Sequence, residues 1–172
     1  NLGMDFGVGE SKFRLSGSFF DQQGVVPNND FRRYNFRVSN TTKLLKGKIE
    51  LMPSFAYSNS TNNKVLRSAG GFLLSLLIWP ATNDIRKLEN DQSGDKLDLF
   101  DNTSANGEYD NPLWNVNNNF GKDENVRKTY TMGININPYK WLTLSGRFGY
   151  DTYNQNGFMF QHPQSFYLGA GS

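Results

Sequence analysis

His162 is the only histidine in 172 residues, and there is no cysteine. Disulfides, thiolate nucleophiles and Cys-ligated zinc are therefore excluded. A lone imidazole needs a nucleophile and an orienting partner before it can catalyse. His162 stands in a polar stretch where no Ser/His/Asp arrangement can be argued. No catalytic residue is assigned, and an enzyme is not expected. Asp91, Asp95, Asp98 and Asp101, with Asn90 and Asn102, offer hard oxygen ligands of the kind Ca²⁺ takes. The EF-hand spacing is missing and Lys96 interrupts the run, so a solvated loop is the plainer reading. No metal or other cofactor is assigned. Gly3, Gly7 and Gly9 recur beside a strand pattern, but no helix start follows, which disfavours a phosphate-binding loop.

Two further sets could bind rather than react. Trp79, Tyr109 and Trp114 carry flat rings that stack on sugars or grip peptide side chains at low entropic cost. Packing inside a loop would use the same rings. Phe72, Leu73, Leu76, Leu77 and Trp79 fall in an apolar run after Gly70-Gly71 and before Pro80, which predicts a short helix. Its leucines suit a platform for a protein partner, or a small core that holds the loop together; the core reading is favoured.

The chain must supply elements that position these residues. Basic residues number 18 and acidic residues 16, scattered without a stripe or tail, so no nucleic-acid partner is expected. An aromatic share of 15% argues against disorder. The run Phe72 to Trp79 falls far short of the ~20 apolar residues of a membrane-spanning helix. That leaves β-barrel spans open, because they carry no such run.

Six segments alternate with period two, near 2–8, 12–20, 31–39, 47–58, 128–137 and 141–151. Leu15, Phe36, Leu51, Ile134 and Leu144 fall on their apolar faces, and Arg14, Arg33, Arg37, Glu50 and Arg147 on the polar ones. Connections alternate between short and long, with the longest a loop over 59–127 and a tight turn at Asn137 to Lys140. Several segments match the ~9–11 residues of a tilted membrane strand. Tyr34, Tyr57, Tyr130 and Tyr150 lie near the long-loop ends and Trp141 near a short turn, as two interfacial belts would require. The pattern predicts an all-β antiparallel sheet belonging to a transmembrane β-barrel, with one long extracellular loop containing a short helix. A soluble sheet with one wet face gives the same alternation. Pro53 argues against a closed barrel unless a bulge accommodates it.

The stretch from Phe13 through Phe19-Phe20-Asp21-Gln22-Gln23-Gly24-Val25-Val26-Pro27 resembles a strand-and-loop of the SusC/RagA family of TonB-dependent outer-membrane transporters. Asn28 to Asn40, with Arg33-Tyr34 and alternating Arg and Asn, resembles that family's next strand, and Asp110-Asn111-Pro112-Leu113-Trp114 an element late in a long extracellular loop. Trp141-Leu142-Thr143-Leu144 after a Pro-containing turn is also family-like. The resemblance implies that these 172 residues are one part of a larger barrel of about 22 strands. The family's plug domain and TonB box are not among them. It further implies a bacterial outer-membrane location, contact with lipid, import of oligosaccharides or peptides, coupling to TonB, and a SusD-like surface lipoprotein as lid. A structural scaffold in an outer-membrane assembly and a soluble carbohydrate-binding β-domain stay open as alternatives.

Overall fold

The computed structural model describes residues 1–67, 71–82, 85–86, 110–163 and 165. It is mostly β, with six strands in one antiparallel sheet and two short helices. The strands are β1 (Leu2–Val8), β2 (Ser11–Gln23), β3 (Asp30–Leu44), β4 (Ile49–Val65), β5 (Phe120–Tyr139) and β6 (Leu142–Phe160). Their order in the sheet is their order in the chain. Consecutive strands are therefore neighbours, as short antiparallel connections favour. The register of β1 on β2 sets Met4 opposite Leu15, Asp5 opposite Arg14 and Phe6 opposite Phe13. This matches the alternation of both segments, since cross-strand partners share a face.

Five of the strands run further than the period-two pattern does. The loop expected over 59–127 is shorter, because β4 continues to Val65 and β5 already begins at Phe120. β3 extends to Leu44, and β6 continues to Phe160 rather than ending near 151. In the β3 and β4 extensions both faces are largely polar, so alternation vanishes from the sequence while the backbone ladder persists; the far ends of β5 and β6 instead carry Phe120, Phe158 and Phe160, which pack together. Pro53 lies inside β4, which continues through it.

The turns are tight. Gly9 and Glu10 connect β1 to β2, with Gly9 at φ 60°. Residues 45–48 connect β3 to β4, with Leu45, Lys46 and Gly47 all at positive φ. The turn expected at Asn137 to Lys140 sits instead at Lys140 and Trp141. Asn137 is held in the ladder by donating its N–H to the Lys48 carbonyl at 2.7 Å.

The chain divides into two compact units. The first comprises Asn1–Gln22, Phe31–Thr61 and Glu124–Asn156, and contains most of the sheet. Only Gly133 is buried among its described residues. The second comprises Gln23–Asp30, Asn62–Asp123 and Gly157–Ser172. It holds helix α1 (Phe72–Ile78) and helix α2 (Pro112–Asn118), which pack against each other. Its buried apolar residues are Val65, Leu66, Trp79 and Val116. Gly71 lets the chain double back onto Leu66: a Cβ there would come within 2.2 Å of the Leu66 carbonyl oxygen.

Candidate functional site

The first unit has two chemically distinct faces. On one, Leu15 lies opposite Met4, and Ile134 reaches within 3.3 Å of where a Gly146 Cβ would stand. Leu15, Phe36, Leu51, Ile134 and Leu144 share this face with Phe13, Val38, Met132 and Phe148. Much of it is open: Leu144 is 54% exposed, Phe148 70% and Met4 55%.

Rings collect at one end of this face, and a second pair sits in the turn at the other end of the strands. Phe19 meets Tyr34 at 4.9 Å, Phe55 meets Tyr130 at 4.9 Å, and Tyr130 meets Tyr150 at 6.3 Å. Tyr57 lies on the same face, half-buried. These rings are at the end from which the long connections leave. Trp141, 80% exposed, stacks on Tyr139 at 5.6 Å in the turn between β5 and β6.

The opposite face is a ladder of small polar groups. Asn35 donates to Ser18 at 2.9 Å and accepts from Ser58 at 2.8 Å. The Ser54 and Thr131 hydroxyls are 2.6 Å apart, and Asn135 donates to Glu50 at 3.0 Å. Arg14 pairs with Asp5 at 3.1 Å, and Arg127 pairs with Asp151 at 2.6 Å. Three cavities of about 620, 440 and 260 Å³ are lined mainly from this polar side.

The second unit holds most of the loop candidates, and it alters several of them. The leucines of α1 do not make the loop's core: Leu73 is 49% exposed, Leu76 46% and Leu77 73%, with Phe72 half-buried. Ser75 and Trp79 turn inward instead. Trp79 is buried within this unit. Trp114 makes an edge contact with His162 at 5.3 Å. Tyr109 and the acidic run from Asp91 to Asp101 lie outside the described residues.

A buried polar network was not foreseen. Asp110, 2% exposed, accepts from Asn115 Nδ2 at 3.0 Å and from the Ser165 hydroxyl at 2.5 Å. Asn119, fully buried, donates to Ser165 Oγ at 2.7 Å and accepts the His162 N–H at 2.8 Å. Asn111 caps α2, its Oδ1 accepting from Leu113 N at 2.8 Å and Trp114 N at 3.2 Å. The Asn-Pro pair at 111–112 was the available signal, because Asn at the cap and Pro at the first turn start helices. These groups bind one another, which makes the network a clasp for the unit and leaves the two-faced sheet as the candidate functional surface.

No protein-family model matches the chain, and no curated protein matches it.

Proposed function

We propose that the chain is barrel wall of a bacterial outer-membrane protein, with its apolar face toward lipid and its polar face lining the interior. The observation that carries this reading is the exposed apolar face, with rings gathered on it toward the long connections. Burying apolar surface is worth about 25 cal/mol per Å². A soluble sheet would cover such a face with a second layer. A bilayer covers it at no cost in protein. Trp141 and Tyr150 are nine positions apart on one strand and its turn. At ~3.3 Å per residue and a tilt of 35–45° this spans roughly 20–25 Å, close to the ~25 Å apolar band of outer-membrane barrels. β5, with 20 residues, is about twice the ~9–11 residues a tilted crossing uses, so much of it would project into water. The polar extension of β4, Asn59 to Lys64, fits that position.

Within this class, the resemblance of 12–40 and 110–150 to SusC/RagA proteins supports the channel subunit of a TonB-dependent importer of oligosaccharides or peptides. A SusD-like lipoprotein would cover the extracellular mouth, and TonB would act through sequence beyond these residues. The open leucines of α1 suit a protein partner.

The test uses the full-length protein in its own cells. It should fractionate with the outer membrane and show heat-modifiable mobility on denaturing gels. Deleting its gene should abolish uptake of one glycan or peptide class. A protein recovered from the soluble fraction as a folded monomer without detergent would refute the membrane reading. Outer-membrane location with unchanged uptake would leave a scaffold.

A further inference from the structure

Four strands of the polar face bring arginines whose partners differ in kind. Arg14 is neutralised by Asp5 and Arg127 by Asp151. Arg33 lies over the Phe20 ring at 6.0 Å. Arg37 on β3 and Arg147 on β6 have neither a carboxylate nor a ring among the described residues. Both line one cleft of about 440 Å³, within the usual range of ~300–1,000 Å³ for small-molecule sites.

The floor between them is kept low by glycine. Gly133 is the only buried residue of this unit, and a Cβ there would press on Met52 Cε at 3.2 Å. Gly149 lines the same cleft. Hydroxyls edge the floor: Ser39 from β3, and the Ser54–Thr131 pair from β4 and β5. The cleft thus combines two guanidinium groups with hydroxyls that can donate or accept. Guanidinium forks bind carboxylates bidentately, and hydroxyls satisfy what remains of a polyhydroxylated ligand.

We infer that the Arg37–Arg147 cleft binds an anionic solute, a carboxylate-bearing sugar in chemical class. The inference rests on the reading of the polar face as an interior wall, and it deepens that reading by specifying the charge of the cargo. Each guanidinium offers a separate fork to an acidic group of one extended ligand lying across the cleft. The apolar face offers no counterpart, since its ionic groups include the Arg32–Asp21 pair beyond the ring belt.

The probe is trigalacturonate, with maltotriose as its neutral counterpart. Both are titrated calorimetrically into the full-length protein in detergent. Trigalacturonate should bind at least tenfold more tightly than maltotriose. Arg37→Gln and Arg147→Gln should each weaken it about tenfold, and the double variant should abolish it. Lys12→Gln, in a different cavity, should leave it unchanged. Equal binding of the two sugars, no binding of trigalacturonate, or affinity indifferent to both arginines would overturn the site. So would arginine variants that bind nothing differently but lower the melting temperature of the ligand-free protein, because the arginines would then pair with an acidic segment of the protein. Fractionation and heat-modifiable mobility of the same preparations keep the two readings separate. Arginine-dependent binding by a protein that fails both would keep the site and remove the interior wall.

Discussion

Asp110 and Leu144 show how differently single residues report their roles. Leu144 was legible because its strand alternates with period two, and one apolar face demands one register. Asp110 was not, because its partner Ser165 is 55 positions away and Asn-rich sequence looks like loop. Each carries an expectation. Leu144→Arg should block assembly of the full protein into membranes, since Arg at the midplane of a lipid face costs ~2–4 kcal/mol. Ser145→Arg, on the polar face, should assemble nearly as well. Folding into lipid vesicles, followed by heat-modifiable mobility, would read the difference, and equal yields would remove the lipid-face assignment. Asp110→Ala strands the Asn115 amide and the Ser165 hydroxyl in a buried site. Buried hydrogen bonds to a charged group are worth about 1.5–3 kcal/mol each, and unsatisfied partners add to the loss. The second unit should become sensitive to limited proteolysis, while the sheet keeps its β signature by circular dichroism.

Strands were readable as elements wherever the two faces differ, and unreadable where they do not. Phe13 to Phe19 and Tyr130 to Ile136 alternate because one side is apolar. Asn59 to Lys64 does not alternate, yet it is strand, tied by Asn63 to Asp30 at 2.9 Å and by Lys64 to Asp123. Backbone pairing is indifferent to side-chain type, so a strand that is polar on both faces leaves little trace in sequence. The link that the pattern leaves between its third and fourth strands, residues 40–46, is in fact a turn at 45–48, for a related reason. Leu45 and Lys46 hold φ of 52° and 56°, a region that Gly and Asn favour, and neither residue announces it. That mismatch gives a stabilising substitution. Lys46→Asn should raise the stability of the refolded protein by about 1 kcal/mol, the cost of left-handed backbone for an ordinary side chain. Denaturant titration in micelles would measure it. An unchanged or lower midpoint would mean that Lys46 contributes a compensating contact.

At the scale of the molecule, the alternation of connections decides which end faces out. The turns at 9–10, 45–48 and 140–141 have two or four residues, while the connections at 24–29 and 66–119 leave from the opposite strand ends. Outer-membrane barrels keep short turns in the periplasm and long loops at the cell surface. The ring pattern points the same way, with the larger belt of tyrosines on the long-loop side. Val25, at the tip of the 24–29 connection, is fully exposed. The chain has no cysteine, so a single introduced thiol reports alone within this region. Val25→Cys should react with a membrane-impermeant maleimide on intact cells. Lys140→Cys should react only after the outer membrane is opened. The reverse pattern would place the 24–29 and 66–119 connections in the periplasm, where a surface lipoprotein could not reach them. Shielding by such a lid would mute Val25→Cys in both intact and opened cells, and repeating the labelling in cells lacking the lipoprotein would restore it. Reaction at both sites on intact cells would mean that the sheet does not separate two compartments, and the soluble alternative would then account for the fold.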